Sequence, residues 1–201
     1  MLFDQYNNYI NTFNIMPMKK MDVIIVGAGP AGSFAGYHLT RSGLDVLIIE
    51  KASFPRLKVC GGGLSGRAYR VLPFDIKPII HRAVRWGMVG FRGRLVTTIH
   101  KDDPIAYLIA RPSFDAFLLE KAISLGAQCH QGERALSVKQ KGDIVHLQTD
   151  LASYQSRYLI GADGIHSQVA KAVGLLRNRP IGLAYEAHLG YPSGKIDPLI
   201  E

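Results

Sequence analysis

Cysteine is scarce: Cys60 and Cys129 are the only two in 201 residues. They form no disulfide framework and no metal-ligand cluster, and a reducing cytoplasm is the simplest setting for them. Long apolar runs are also missing. None approaches the roughly 18 residues that a spanning helix needs, so any membrane contact is expected to be peripheral. Excess polarity is missing as well. With 47% hydrophobic and 20% charged residues the chain can bury a core, which excludes wholesale disorder. There is no internal repeat and no low-complexity tract. The net charge of +8 suits an anionic lipid, substrate or cofactor, with a solvated surface as the alternative. The basic residues are scattered, however, with only a modest concentration at Arg82, Arg85, Arg92, Arg94 and Lys101. No basic helix is interleaved with aromatics, so nucleic-acid binding is not expected. The length fits one large domain or a domain and a half. Residues 1–20, rich in Asn, Tyr and Phe, lack the basic start and long apolar core of a secretion signal; they read as a disordered extension from an upstream start codon, with a small mobile anchor as the alternative.

What is present is concentrated between Asp22 and Glu50. Val23 to Val26 is a short continuous apolar run, the pattern of a parallel strand buried on both faces. Gly27-Ala28-Gly29-Pro30-Ala31-Gly32 follows, then an Ala- and Gly-rich helix, then a second apolar strand ending in Glu50. Gly27 permits the tight turn. Gly29 lets the backbone approach a pyrophosphate held at the positive end of the helix. Gly32 lets helix and strand pack closely, and Gly36 extends that small face. Glu50 lies 23 residues after Gly27, the distance at which an acid accepts from an adenosine ribose. An acid there disfavours a 2′-phosphate, so the unit suits FAD or NAD better than NADP. The alternative is a tight strand-to-helix turn with no ligand.

Three further segments carry chemistry. The loop from Phe54 to Ser65 contains Lys58-Val59-Cys60-Gly61-Gly62-Gly63. Three consecutive glycines cost conformational entropy, which points to a backbone closely approached by a ligand. Lys58 beside Cys60 is expected to lower its thiol pKa, against the bland reading of Cys60 as a small buried apolar residue. Arg111 ends a strand before a helix, where a cation reaches a phosphate or flavin edge; a surface salt bridge is the alternative. Gly161-Ala162-Asp163-Gly164 ends another strand. Asp163 is read as a carboxylate near the sheet's carboxyl edge, or else, with Ser167, as a helix N-cap.

Periodicity and punctuation predict a helix over 65–72 and strands over 84–91, 95–100 and 105–110, with a hairpin turn at Arg92-Gly93-Arg94. A helix is expected from Pro112 to Leu125, with Phe114, Phe117, Leu118 and Ala122 on one face, stopped by Gly126. A third parallel strand over 127–130, a hairpin over 135–149, a strand over 157–160, a helix over 167–173 and a last strand over 182–189 complete the reading. The fold class is α/β: a Rossmann-like FAD-binding domain with a parallel sheet, interleaved with part of an antiparallel substrate domain. The expected boundaries are 21–83 and 111–180 for the first, 84–110 and 181–201 for the second.

Taken together, these motifs resemble the geranylgeranyl reductase family of FAD-dependent oxidoreductases, within the larger p-hydroxybenzoate hydroxylase-like group. The match runs from Met21 to Leu189. The loop Phe54-Pro55-Arg56-Leu57-Lys58-Val59-Cys60-Gly61-Gly62-Gly63-Leu64 narrows it, and Arg111-Pro112-Ser113-Phe114-Asp115 agrees. The resemblance implies FAD as cofactor, with Gly27, Gly29, Pro30, Ala31 and Gly32 at the pyrophosphate and Glu50 at the ribose. Lys51, Lys58, Arg111, Asp163 and Gly164 complete the cofactor set. Cys60, Gly61 and Gly62 are implied near the reacting end of the flavin, and no metal is implied. The implied reaction is reduction of C=C bonds in prenyl chains of lipids or related compounds, with NAD(P)H or ferredoxin as reductant. Members of the family run to about twice this length and carry a later Gly-Asp motif, so the chain reads as an N-terminal fragment or a truncated gene product. Two other outcomes remain: a flavin-dependent monooxygenase or halogenase, and an inactive remnant or one half of a split flavoprotein.

Overall fold

The computed structural model describes residues 20–175 and 182–187. They divide into two compact units. One takes in the described residues up to Arg56 and from Asp115 to 175; the other takes in Leu57–Phe114 and 182–187. The division at Arg56/Leu57 and Phe114/Asp115 groups the Cys60 loop and Arg111 with the antiparallel strands, where the sequence boundaries had grouped them with the parallel sheet.

The first unit is built on a six-stranded sheet. Its strands are β1 (Lys20–Val26), β2 (Val46–Glu50), β8 (Gln128–Gln131), β9 (Ala135–Lys141), β10 (Ile144–Thr149) and β11 (Ser153–Gly161). Their order is β8-β2-β1-β11-β10-β9. β8, β2, β1 and β11 run parallel, while β9 and β10 add an antiparallel edge. The apolar runs form the centre because both faces are covered. Ile24, Val26, Leu47 and Ile49 pack on one side with Leu147, Tyr154 and Val169. Val23, Ile25, Val46 and Ile48 pack on the other with Leu119, Ala122 and Ala127. Each fully buried Ile or Leu contributes about 1.5–3 kcal/mol by the area it removes from water.

Helix α1 (Pro30–Arg41) connects β1 to β2, and α3 (Arg111–Ser124) precedes β8. Phe114, Leu118, Leu119 and Ala122 of α3 are buried, while Phe117 is only partly so. Gly36 of α1 is small for a reason: a Cβ there would stand 2.8 Å from Ile48 Cδ1. Helix α4 (Gln168–Ala172) follows β11.

The second unit holds a three-stranded sheet and a hairpin. β3 (Gly63–Ser65), β7 (Ala106–Ile109) and β4 (Ile80–Val84) form the sheet, in the order β3-β7-β4. Helix α2 (Gly66–Arg70) follows β3, with Ser65 Oγ accepting from Ala68 N–H. β5 (Trp86–Phe91) and β6 (Arg94–His100) form the hairpin. Its turn residues Arg92 (φ 51°) and Gly93 (φ 73°) both lie in the left-handed region, as a two-residue hairpin turn demands.

Three expectations need correction. The strand expected over 84–91 is two strands in different sheets. They are divided at Arg85, whose carbonyl accepts from Lys101 N–H and whose Nε donates to the Asp102 carbonyl. The glycine loop carries a strand of its own, because Gly63 to Ser65 pair with β7. Residues 182–187 form no strand; 188 and 189 of that expected element, and the extension at 1–19, lie outside the described residues. No described helix is long and apolar enough to cross a membrane.

Candidate functional site

In the first unit, the glycine turn fixes the site by how little room it leaves. Gly27 has φ +102°, and a Cβ on it would sit 2.4 Å from the Ala162 carbonyl oxygen. A Cβ on Gly32 would lie 1.8 Å from the Gly27 carbonyl oxygen, so α1 starts in direct contact with the turn. The turn is also pinned to its neighbours: Gly27 N–H donates to Ile49 O, and Ala162 N–H donates to Val26 O, both at 2.8 Å. Gly29, the cap of α1, differs. A Cβ on it would meet only Arg56 Nη2, at 3.5 Å. Pro30 opens the helix, Ala31 is exposed, no side chain caps it, and no acid stands in its first turn. The positive end of α1 is thus presented to a ligand beside Gly29.

Glu50 is buried at the end of β2. Its Oε2 accepts from Ala28 N–H at 2.7 Å and its Oε1 from Ala52 N–H at 2.9 Å. A carboxylate has about four acceptor sites, so two remain for hydroxyl donors. Glu50 therefore ties the glycine turn to the β2 terminus while keeping capacity for a ribose. Lys51 follows it, exposed.

Sequence reasoning missed Arg56 as a member of this site. Its guanidinium lies over the Phe54 ring at 4.9 Å and pairs with the fully buried Asp115 at 3.5 Å. Phe54 is held in turn, its N–H donating to Gln131 Oε1 at 2.6 Å. Arg56 Nε is buried and has no hydrogen-bond partner among the described residues. A fixed cation with a spare donor beside a helix N-terminus is the donor set for a pyrophosphate. The Phe54-Pro55-Arg56 run could have signalled it, since an aromatic two residues before an Arg offers a stacking platform.

Asp163 stands at the end of β11, but its carboxylate is committed locally. It accepts from Ser167 Oγ, from Gln168 N–H at 2.6 Å and from Val169 N–H at 3.4 Å. Ser167 Oγ accepts from Ala170 N–H at 2.9 Å. The capping alternative is thus what this geometry displays for both residues. Gly164 (φ +82°) follows in the turn before α4.

In the second unit, the glycine loop gathers a different set. Cys60 is exposed, and its own N–H donates to Glu186 Oε2 at 2.8 Å. The Gly62 N–H and then the Arg111 guanidinium hydrogen-bond the sulfur and lower its thiol pKa. Slight burial opposes them, the Arg111 charge adds to them, and the Glu186 carboxylate opposes. The expected cause, Lys58, is not among these; it is an exposed loop residue. Gly62 is buried with φ +68°, and a Cβ on it would lie 2.3 Å from the Ile109 carbonyl oxygen. Only glycine fits there, while a Cβ on Gly61 would meet nothing. Glu186 was not foreseen: it lies 126 residues from Cys60, and no local pattern marks it. Cys129 is the counter-example, a half-buried thiol pushed up to about 11 by burial and then by Glu50. Among the described residues no group of three His, Cys, Asp or Glu could hold a metal ion.

The residues of the first unit fit FAD: a helix end and a guanidinium for the pyrophosphate, and a carboxylate for the ribose. Comparison with known proteins agrees. The FAD binding domain family model matches residues 20–188. An uncharacterized protein of Methanosarcina barkeri is 34% identical over 86% of this chain and 44% of its own length. A geranylgeranyl diphosphate reductase of Rhodobacter capsulatus is 29% identical over 87% of this chain and 45% of its own length. The crystal structure of a geranylgeranyl bacteriochlorophyll reductase-like protein from Thermoplasma acidophilum superposes with a TM-score of 0.70 at 26% identity, over 79% of this chain and 43% of that one. The chain therefore spans about half the length of the relatives it matches. With the strand-turn-helix cradle, the buried acid and the family match in agreement, the chain belongs to the FAD binding domain family of flavoproteins.

Proposed function

We propose that this chain is the cofactor-bearing part of an FAD-dependent reductase of C=C bonds in prenyl chains. The observation that carries the reading is the Cys60 thiol, set in a glycine loop between the Gly62 amide and the Arg111 guanidinium. An isolated alkene is poorly electrophilic, so its reduction needs a proton at one carbon as hydride reaches the other. When bound and reduced, FAD supplies that hydride. Cys60 is then the proton source, restored from solvent to which it is exposed. A general acid works best with a pKa near the operating pH, and the two donors to sulfur move Cys60 in that direction. Gly61 lets substrate approach the loop backbone closely, because nothing stands where its side chain would be, while Gly62 fixes the loop against the Ile109 carbonyl. The names of two relatives, a geranylgeranyl diphosphate reductase and a geranylgeranyl bacteriochlorophyll reductase-like protein, support the prenyl substrate class.

The test is anaerobic. The flavin of the purified protein is reduced with dithionite, geranylgeranyl diphosphate is added, and the flavin spectrum and product mass are followed. Flavin re-oxidation with a product two hydrogens heavier is expected. Re-oxidation only when oxygen is admitted, with an oxygenated product, would instead identify a monooxygenase. Cys60→Ser should slow product formation at unchanged flavin content; unchanged turnover would remove Cys60 from the reaction.

One observation favours a second reading, in which the chain works only as one half of a larger flavoprotein. The β5–β6 hairpin leaves Trp86, Met88, Phe91 and Leu95 exposed. Light scattering on the purified chain separates the two: a monodisperse monomer that turns over substrate contradicts the second reading.

A further inference from the structure

The second unit contains a cleft of about 520 Å³ that no part of the reductase reading uses, within the size range of small-molecule sites. Arg67, Arg70, Lys101, Asp102 and Asp103 line it. Its walls are joined by backbone. Gly66 N–H donates to Ile105 O, Ile105 N–H to Val84 O and Lys101 N–H to Arg85 O. A Cβ on Gly66 would stand 2.7 Å from the Pro104 carbonyl oxygen, so the start of α2 rests directly on the 101–105 loop. Arg67 and Arg70 are three apart on α2, on the same face of its single turn.

The charges are the informative part. Three cations and two carboxylates share one cleft, yet among the described residues no ion pair joins any of them. All five side chains are exposed, where an ion pair between them would be worth only about 0–1 kcal/mol, so each keeps its charge available to a ligand that enters the cleft. Unpaired charges of both signs suit a ligand that needs both. Magnesium is such a case: it is commonly held by one or two carboxylates together with substrate phosphates, without a full cage of protein ligands. Arginine and lysine then take the remaining phosphate oxygens.

We propose that this cleft binds a magnesium-bound diphosphate, with Arg67, Arg70 and Lys101 on the phosphate oxygens and Asp102 and Asp103 on the cation. Its position suits the head group of the substrate. Strand β3 runs from the Cys60 loop at one end to the cleft at the other. From Gly62 to Ser65 is three residues, about 10 Å of extended chain. An elongated molecule with an anionic head and an apolar tail can span both ends. The identity of that molecule as a prenyl diphosphate rests on the reductase reading; the diphosphate site itself does not.

The experiment is calorimetric titration of inorganic pyrophosphate into the FAD-saturated protein, with and without magnesium chloride. FAD saturation keeps the α1 cradle filled. Binding at one site is expected, tightened about tenfold or more by magnesium. Arg67→Ala and Arg70→Ala should each weaken it about tenfold, the scale of a charge-assisted hydrogen bond. The double variant Asp102→Asn/Asp103→Asn should abolish the magnesium effect and leave magnesium-free binding. Circular dichroism checks that each variant is folded, and Lys101→Met gives an independent reading if an arginine variant is not. Inorganic phosphate should bind at least about tenfold more weakly than pyrophosphate, having one phosphoryl group to offer. No heat of binding, equal binding by the arginine variants, or binding lost in Arg56→Lys but not in Arg67→Ala would each overturn the proposal. Pyrophosphate binding without reduction of geranylgeranyl diphosphate would contradict the reductase reading and leave the cleft intact. Reduction of that substrate at unchanged KM in Arg67→Ala would do the reverse.

Discussion

The two units treat their apolar side chains in opposite ways. In the first, Ile24, Ile25, Leu47 and Ile48 are completely buried between two core layers. In the second, Trp86, Met88, Val89, Phe91, Leu95, Val96 and Ile99 of one hairpin are between 39% and 66% exposed. The sequences already differ: Val23 to Val26 and Val46 to Ile49 are unbroken apolar runs, whereas β5 and β6 carry Gly, Thr, Arg and His among their apolar residues. The neighbours differ as well. Side chains of β1 and β2 pack with Leu119 and Ala122 of α3 and with α1 residues in one cluster, and with Ala135, Leu147, Tyr154 and Val169 in the other. Among the described residues β5 and β6 pair only with each other. An isolated two-stranded ribbon has no second layer to remove its side chains from water, and such ribbons are marginal alone. The first unit thus has a core that can hold a ligand cradle rigidly. The second carries the Cys60 loop and exposed apolar surface, with few buried apolar residues among those described.

That contrast can be broken most severely at Gly32. In Gly32→Val the added carbons meet the Gly27 carbonyl from 1.8 Å, so the first unit should lose more than about 4 kcal/mol, the exceptional range for a point change. Urea denaturation and flavin content should both collapse. A folded, flavin-bearing variant would deny that the turn is tightly packed. Next comes Arg56→Lys, which keeps the charge facing Asp115 but loses the guanidinium fork and the stacking on Phe54. FAD affinity is expected to fall about tenfold or more, read by flavin fluorescence, with the urea midpoint little changed.

The two thiols differ in the same sense. Cys60 is exposed with a lowered pKa, and Cys129 is half-buried and pushed up to about 11. The thiolate is the reactive form. Cys60 should therefore react with iodoacetamide below the ordinary thiol range, and Cys129 should resist until the pH approaches 11. Mass spectrometry of the alkylated peptides against pH decides the order. Reaction of Cys129 first would contradict the local structure of both. The smallest effect on stability is expected at the hairpin. Phe91→Lys and Leu95→Lys alter exposed side chains, so unfolding free energy should change by no more than about 0.5 kcal/mol, while light scattering should register less self-association.

Much of the first unit was legible because local rules and the fold agree there. Val23 to Val26, Gly27 and Gly32 each have one physical reason to be where they are, and the structure places them accordingly; Glu50 ends β2 as expected, where it also ties down the glycine turn. The second unit was legible in its hairpin, whose Arg92-Gly93 turn leaves a sequence mark. It was not legible at Arg85, where the chain changes sheets: its carbonyl accepts from Lys101 N–H and its side-chain Nε donates to the Asp102 carbonyl, bonds that no periodicity encodes. The site divides in the same way. Cys60 and the glycines around it stand out in sequence, while the partners that tune the thiol, Arg111 and Glu186, are brought in by the fold. Asp163 was ambiguous from the start, since a carboxylate before a Ser at a strand end suits a cap as well as a ligand. Arg56 was overlooked because the Phe54-Pro55-Arg56 run is a faint signal in a basic loop until the stacking and the buried Nε are seen.

The central claim is that the first unit holds FAD through its glycine turn, Glu50 and Arg56. The most direct measurement is flavin stoichiometry of the purified chain, by absorbance before and after denaturation, for the unaltered protein and for Arg56→Lys. The account predicts close to one FAD per chain in the first and a clear deficit at equal folded fraction in the second. No bound flavin in the unaltered chain after incubation with excess FAD would contradict it.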